Sequence, residues 1–290
     1  MSGTYWIYLI VLLLFRISEI YLTRVPSLVI KQSPDGCKMT PARSKVIVFD
    51  EIESTQLLAK EYIKDGKSRH GLVIQAKKQM QGKGRLDRSW ASPKGGLWMS
   101  TILQKKIPLK YFQGFSVRIG LAISESLEEL LDLPFRVKWP NDLFLNNKKV
   151  GGILIDLSSQ DIFLKHLILG IGLNVNFKLS SLSEELQETA TTIYHETKKE
   201  FSLEKVRGVI LATQSAIVLQ FEKGLLPNIT PLWKERSVNF ESIVKIRLKE
   251  KLVEGVEKGI TTNGDLIIQT NTGKEIISFG EIEQEEGFED

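Results

Sequence analysis

The sequence contains little cysteine, little histidine and no apolar run long enough to cross a membrane. It has 290 residues with one cysteine and three histidines. A single cysteine, Cys37, excludes an internal disulfide and a cysteine-based metal cluster, which is typical of proteins from a reducing cytoplasm. His70, His166 and His195 are scattered along the chain without metal-ligand spacing, so we expect them at ordinary positions rather than in a metal site.

The charge balance argues against a further class of protein, those that bind nucleic acid. Formal net charge is +4 at pH 7, and no face of clustered basic residues of the kind that binds nucleic acid is evident. Hydrophobic residues make up 42% of the chain, which is ample for a core. The length predicts one large domain or two modest ones.

The amino-terminal residues 1–44 differ from the rest. Their apolar run, Tyr5–Phe15, is shorter than the roughly 20 residues that a membrane-spanning helix needs, so we do not expect a membrane partner. A signal peptide is disfavoured because no basic segment precedes Tyr5. Three interpretations remain open: a weak membrane-associating segment, an apolar helix packed on the body, or an upstream extension of a gene that starts at Met39. The third is slightly favoured, because the globular pattern begins just after Met39.

From Lys45 onward the pattern alternates between strands and helices. Apolar runs predict strands, and a period near 3.6 predicts long helices. Asparagine tolerates left-handed backbone, so Asn146–Asn147 is the predicted turn of a hairpin. The polar stretch Lys178–Thr191 is expected to be a flexible loop over the site. The predicted strands are Lys45–Asp50, Gly71–Ala76, Gly95–Leu103 and Leu167–Asn176, and the predicted helices are Tyr111–Leu131, Leu203–Lys223 and, shorter, Pro231–Ser237.

Beyond Ser242 the pattern changes to short β-rich runs separated by turns, which is typical of a small all-β barrel. We therefore predict a boundary near Arg236–Asn239. The resulting division is a leader at 1–44, a catalytic domain at 45–237, and a barrel with an acidic tail at 238–290. The tail carboxylates are expected to be solvated: Glu281, Glu283, Glu285, Glu286, Glu289 and Asp290.

The stretch Gln79–Trp90, QMQGKGRLDRSW, follows a predicted buried strand and alternates glycine with cations. Gly82 and Gly84 let the backbone turn tightly and come close to a ligand. The cations between and after them, above all Arg85, match carboxylate and phosphate oxygens. The stretch predicts a mobile loop that closes over an anion. A solvated basic turn is an equally good interpretation until the later motifs KWPND and KKVGGIL are considered.

A second feature is the hydroxyl pair Ser54 and Thr55, which opens a predicted helix that ends near Gly66. Ser54 is a natural N-cap, and Gly66 is a natural stop. A hydroxyl pair at a helix N-terminus can also meet a polar group of a ligand. Capping alone is the simpler interpretation of this pair.

The motifs GKGRLDRSW, KWPNDLFL, KKVGGIL and GIGLNVN, followed by the β-rich end, occur in the order seen in biotin–protein ligases. Over Lys45–Glu283 the chain resembles that family, in its monofunctional type without a DNA-binding domain. The resemblance implies an α+β fold: a mixed β-sheet flanked by helices, related to class II aminoacyl-tRNA synthetases, and then a small SH3-like β-barrel.

The resemblance also implies a two-step reaction. Biotin attacks the α-phosphate of ATP, with Mg²⁺, to give biotinyl-5′-AMP and pyrophosphate, and a lysine of a biotin carboxyl carrier domain then attacks the mixed anhydride. Both steps need neutralised phosphate charge and exclusion of water. The implied partners are biotin, ATP and that carrier domain of a biotin-dependent carboxylase, with no nucleic acid. Monomer and homodimer both remain open.

The resemblance assigns the functional residues of the family to individual positions of this sequence. Lys149, at the family's hairpin lysine, with Arg85 and Arg88, is expected to be catalytic, whereas spacing alone would make Lys149 a surface residue. Asp142 is a candidate Mg²⁺ contact, with a role in the hairpin turn as the alternative. The expected biotin contacts are Ser54, Thr55, Gln79, Gly82, Lys83, Arg85, Lys149, Gly151 and Gly152; the expected ATP or adenylate contacts are Arg85, Arg88, Trp90, Asn141, Asp142 and Asn174.

The sequence departs from the family at the loop, which is usually GRGRxGR and here is GKGRLDR. Lys83 keeps a positive charge but loses the bidentate fork of arginine. Asp87 replaces a glycine and adds an anion to a phosphate-facing loop. Asp87 is expected either to oppose closure directly or to pair with Arg88 in the open state.

Three other functions are less consistent with these motifs. A lipoate ligase or octanoyl transferase shares the fold but has different glycine and arginine motifs. A biotin-dependent repressor needs a winged-helix domain of about sixty residues, whereas 44 residues without a helix-turn-helix pattern precede the first strand. A biotin-binding protein without activity would not keep Arg85, Arg88 and Lys149 together.

Overall fold

The computed structural model describes residues 45–249 and 251–283, so the predictions for residues 1–44 and 284–290 lie outside the described residues. The chain forms two sheets and six α-helices in these ranges. The strands are β1 (Lys45–Ile52), β2 (Leu72–Gln79), β3 (Leu97–Leu103), β4 (Arg136–Lys138), β5 (Asp142–Leu145), β6 (Lys148–Gln160), β7 (Phe163–Leu173), β8 (Ile243–Arg247), β9 (Leu252–Ile260), β10 (Leu266–Thr270), β11 (Gly273–Ile277) and β12 (Glu281–Ile282). The helices are α1 (Thr55–Lys64), α2 (Phe115–Leu131), α3 (Glu184–Thr189), α4 (Ile193–Thr197), α5 (Leu203–Glu222) and α6 (Thr230–Arg236).

The larger sheet is mixed and has helices on both faces. Its seven strands run in the order β1-β2-β3-β7-β6-β5-β4, with β1 parallel to β2 and the other neighbours antiparallel. Successive side chains of a strand point to opposite faces. Leu72 and Ile74 of β2 therefore pack with Ala59 of α1, while Val73 joins the core under α2 and α5. The expected α+β arrangement is confirmed.

The smaller sheet is antiparallel, in the order β11-β10-β9-β8-β12, and corresponds to the predicted C-terminal barrel. Its β9–β10 turn docks against α2. The Arg118 guanidinium donates to the carbonyls of Pro227 and Thr262, and Trp139 Nε1 donates to the Gly264 carbonyl at 3.1 Å. Burial lowers the pKa of Arg118 to about 10, so the guanidinium still carries its charge at neutral pH and satisfies two buried carbonyls of the junction.

Two helix and loop predictions need correction. The helix predicted from Tyr111 starts at Phe115, because Gly114 takes a left-handed φ of 65° and Tyr111 lies in a preceding 3₁₀ turn, Leu109–Phe112. The polar stretch Lys178–Thr191, predicted as a flexible loop, contains another 3₁₀ turn and α3. None of the helices in the described ranges is long and apolar enough to span a bilayer.

The expectation of a solvated acidic tail is wrong for its first two members. The Glu281 side chain is 18% exposed and pairs with Arg88, and Glu283 is 26% exposed and pairs with Arg247. Both carboxylates lie where the barrel meets basic side chains, so they take part in the packing of β12. The other predicted tail residues lie outside the described ranges.

Candidate active site

A cleft opens between the glycine-rich loop, the β5–β6 hairpin and the barrel. The loop, residues 80–91, leaves β2 and folds back on itself, with bridges between Gln79 and Ser92 and between Lys83 and Ser89. A Cβ at Gly82 would lie 2.4 Å from the Trp90 carbonyl oxygen. Only glycine fits that backbone crossing, which explains the residue on steric grounds.

Arg85 connects three parts of the chain around this cleft. Its guanidinium donates to Asn141 Oδ1 at 3.2 Å and to the Gly280 carbonyl at 3.3 Å. Asn141 is itself held by donating from Nδ2 to the Ile153 carbonyl at 2.7 Å. Arg85 and Asn141, both predicted for the adenylate site, thus contact each other directly. The barrel contributes the Gly280 carbonyl as a further partner of Arg85.

Arg88, the last cation of the loop, pairs with Glu281 of the barrel. The Glu281 carboxylate also lies 3.9 Å from the Arg85 guanidinium. No local sequence pattern indicates this partner, because the pairing depends on how the barrel docks. The expected pairing of Asp87 with Arg88 is not what the structure shows, since Arg88 turns to Glu281 and Asp87 is exposed.

Lys149 and Asp142 face each other across the β5–β6 hairpin, with Nζ 2.7 Å from Oδ2. The Asn146–Asn147 turn between them has the predicted left-handed backbone, with φ values of 49° and 60°. Lys149 is 28% exposed, so it is not a freely solvated hairpin lysine. The pair places a cation and a carboxylate at the same point of the cleft, where a phosphate and a divalent cation would both find a partner.

Glycines of β6 and β7 form the floor of the cleft, and the indole ring of Trp90 covers them. Cβ atoms at Gly152 and Gly172 would lie 3.2 and 2.7 Å from the Trp90 ring atoms. The Lys149 Nζ sits 5.2 Å from the centroid of the same ring. Gly151 faces the other side, where a Cβ would meet the Gly172 carbonyl oxygen at 2.8 Å. Of the two predicted hairpin glycines, Gly152 therefore faces the cleft and Gly151 allows strand packing.

The hydroxyl pair lies at one end of the cleft and is buried, with Ser54 2% and Thr55 4% exposed. Ser54 caps α1 as predicted, accepting from the Leu57 amide. The Thr55 amide donates to Gln79 Oε1 at 2.8 Å, and Gln79 Nε2 donates to Ser92 Oγ at 2.8 Å. The structure thus brings the predicted Ser54, Thr55 and Gln79 together.

Asn174 lies deeper, 5% exposed, and donates from Nδ2 to the Thr191 carbonyl at 2.9 Å. Its contact fixes the end of the segment that contains α3. Within residues 45–249 and 251–283, no group of three or more His, Cys, Asp or Glu side chains could hold a metal ion. A cation in this cleft would depend on Asp142 and on the oxygens of its own ligand.

Comparison with known proteins places this geometry in a family. Residues 48–174 match the Biotin/lipoate A/B protein ligase family, and residues 240–283 match the Biotin protein ligase C terminal domain. The Bifunctional ligase/repressor BirA of Bacillus subtilis is 31% identical over 257 residues, covering 86% of this chain and 76% of that relative. The chain belongs to the biotin protein ligase family.

Solved structures agree with this assignment. Biotin protein ligase from Aquifex aeolicus in complex with biotin and ATP matches with a TM-score of 0.72 and 32% identity, over 82% of this chain and 97% of that one. A further relative by sequence, the Biotin--[acetyl-CoA-carboxylase] ligase of Mycobacterium tuberculosis, is 24% identical over 73% of this chain and 78% of that relative. The resemblance seen in the motifs is confirmed, and the chain is a ligase.

Proposed function

We propose that this ligase activates biotin as biotinyl-5′-AMP and transfers it to one lysine of a biotin carboxyl carrier domain. The observation that carries the proposal is the convergence of Arg85, Asn141, Asp142 and Lys149 in one cleft. The match to the biotin protein ligase C-terminal domain favours biotin over lipoate or octanoate as the acyl group. The single cysteine agrees with a cytoplasmic site of action.

The first step brings two anions together, a carboxylate and a triphosphate. Lys149 lies beside the glycine floor, where its ammonium can neutralise the attacking carboxylate and the α-phosphate as their charge is redistributed. The guanidinium of Arg85, held by Asn141, offers planar donors to phosphate oxygens. Water must be kept from the mixed anhydride, which is a role for the loop that carries Arg85 and Arg88.

The residues of the cleft fit a magnesium ion that binds together with the nucleotide. Mg²⁺ is commonly bound by one or two carboxylates together with substrate phosphates, and Asp142 supplies one carboxylate beside Lys149. When bound, the cation would neutralise phosphate charge.

The test is acceptor biotinylation. The purified protein is incubated with biotin, Mg-ATP and a carrier domain, and intact-mass spectrometry follows the mass of one biotinyl group on the acceptor. Pyrophosphate release without acceptor reports the first step alone. A carrier with its target lysine changed to arginine is the matched control and should stay unmodified. Lipoate or octanoate in place of biotin should give no product, and modification by either in preference to biotin would refute the proposal.

A further inference from the structure

The β5–β6 hairpin has an extra residue directly beside Lys149. The register of β5 against β6 shifts between Leu143 and Phe144, which leaves Val150 without a partner on β5. A bulge of this kind disrupts the ladder locally and changes the direction of the neighbouring side chains. The position of Lys149 therefore depends on contacts from outside the hairpin as well as on its pairing with β5.

Two carbonyl groups at the bulge accept hydrogen bonds from the segment around α3. The Lys149 carbonyl accepts from the Thr191 amide at 2.9 Å, and the Val150 carbonyl accepts from the Asn174 amide at 2.8 Å. Thr191 is fully buried, and its own carbonyl accepts from Asn174 Nδ2 at 2.9 Å. The backbone of the predicted catalytic lysine is thus held by Thr191, which follows α3 in the chain.

Glu196 of α4 joins this segment to the tip of the hairpin. Its Oε2 accepts from Asn146 Nδ2 at 2.6 Å, and its Oε1 accepts from the Thr191 hydroxyl. Asn146 belongs to the two-residue turn before β6 and has a left-handed φ of 49°. One carboxylate therefore holds the hairpin at two points, at its tip through Asn146 and at Lys149 through Thr191.

We infer that Glu196 is a positioning residue for Lys149. Lysine carries its charge on a flexible stem of four carbons, so the backbone at the start of that stem sets where the ammonium can reach. A misplacement of about 1 Å at a reacting centre can cost about a hundredfold in rate. Asn146 and Lys149 line the cleft but Glu196 does not, so it acts through its two partners and not on the substrate. The inference rests on the proposed function, in which Lys149 neutralises the reacting oxygens.

The single-turnover rate of biotinyl-5′-AMP formation, at saturating biotin and Mg-ATP, tests this role. Glu196→Ala removes both acceptors and should slow the step about ten- to hundredfold. In Lys149→Ala protein the same substitution should cost less than about twofold, because the ammonium that Glu196 positions is gone. Glu196→Gln should stay within about threefold of wild type, since its oxygen can accept from Asn146 and its NH₂ group can donate to the Thr191 hydroxyl.

A second pair of variants changes the turn and leaves Glu196 in place. Asn146→Gly removes one of the two contacts but keeps the turn, because glycine readily adopts a positive φ. It should slow adenylate formation about three- to tenfold, the scale of one hydrogen bond. Asn147→Gly makes the same change at the other turn residue, whose φ is 60°, and should keep the wild-type rate. This pair decides the question even if Glu196→Ala does not fold.

Several results would overturn the inference. Equal losses from Glu196→Ala in the wild-type and Lys149→Ala backgrounds would show a role that does not pass through Lys149. A rate in Glu196→Gln as low as in Glu196→Ala would show that the charge matters and not the two hydrogen bonds. Equal rates in Asn146→Gly and Asn147→Gly would show that the contact at the tip has no effect. Wild-type protein that forms no biotinyl-5′-AMP would overturn the proposed function instead, which distinguishes the two failures.

Discussion

The carboxylate of Glu281 in the barrel contacts the guanidinium of Arg88 in the glycine-rich loop. It also lies 3.9 Å from Arg85. One carboxylate of the smaller sheet thus lies against both of the arginines expected to bind phosphate. If both arginines bind the nucleotide as proposed, the nucleotide has to displace this carboxylate, and the docking of the barrel then affects how readily the loop binds ATP.

Glu281→Gln should lower the KM for ATP, because the arginines no longer have to leave a carboxylate. Arg88 is 64% exposed, and exposed ion pairs contribute about 1 kcal/mol or less, so a change of two- to fivefold is expected. Steady-state pyrophosphate release over a range of ATP concentrations measures it. Glu275→Gln is the matched control, since Glu275 lies on β11 of the same barrel and approaches Lys251 instead. A higher KM in Glu281→Gln would mean that the carboxylate positions the arginines productively.

Lys149→Ala should reduce adenylate formation about 10²- to 10³-fold, the usual cost of removing one donor to a developing charge. Its side chain is partly exposed and pairs with Asp142 at the cleft, so the thermal melting temperature should change little. Lys148→Ala is the control on the same strand, because Lys148 donates to the Gln187 carbonyl outside the reacting centre. Pyrophosphate release at the wild-type rate from Lys149→Ala would remove the proposed role.

The glycine floor gives a prediction about Trp90. A Cβ at Gly172 would lie 2.7 Å from Trp90 Nε1, so Gly172→Ala must displace the indole from the floor. We expect at least tenfold weaker binding of biotinyl-5′-AMP and a shift in tryptophan fluorescence. Gly208→Ala is the control, because a Cβ there meets nothing within 4 Å in α5. Wild-type affinity for biotinyl-5′-AMP in Gly172→Ala would show that the Trp90 ring does not contact the adenylate.

Local patterns in the sequence predict much of the fold and part of the site. The apolar run of β2 and the Ser54 cap are local, and both are found as predicted. The pairing of Arg88 with Glu281 is not local, because it depends on how the barrel docks. The glycines indicated a close approach but not that Trp90 would make it, since no rule of spacing specifies which side chain crosses above a strand.

The burial of Gln56 is not indicated by the sequence for a related reason. Gln56 follows the hydroxyl pair Ser54 and Thr55 in α1. A polar side chain on a helix is usually expected to face solvent. The structure buries Gln56 against Gly170. Only the sheet order, which places β7 beside β3 under α1, brings Gln56 to Ser100.

Glu257 on β9 predicts a pH dependence of stability. It is fully buried and accepts from Trp233 Nε1 and Ser237 Oγ. Burial raises the pKa of its carboxyl, outweighing these two hydrogen bonds. Between the ordinary pKa of 4.5 and the raised one, the folded state holds more protons than the unfolded state, so this group's contribution to stability falls as pH rises.

Glu257→Gln removes that ionisation and keeps an oxygen for both donors. Its free energy of unfolding should therefore improve relative to wild type as pH rises above 4.5. Urea denaturation at pH 4, 5.5 and 7 measures the difference. Glu254→Gln, an exposed position on the same strand, is the control and should follow the wild-type pH profile. A difference between Glu257→Gln and wild type that does not change with pH would contradict the raised pKa.

Asp87 combines two effects that one pair of substitutions can separate. Asp87 and Leu86 both have left-handed backbone, with φ of 59° and 52°, and a carboxylate lies in a loop expected to face phosphate. Asp87→Gly removes the charge and the backbone strain together, so it should bind biotinyl-5′-AMP more tightly and release it more slowly, by about 1 kcal/mol. Asp87→Asn removes only the charge, because asparagine also tolerates this backbone. Stopped-flow tryptophan fluorescence gives the off-rates. If both variants slow release equally, the carboxylate opposes closure; if only Asp87→Gly does, the backbone is responsible; and an unchanged or faster rate in Asp87→Gly would refute both explanations.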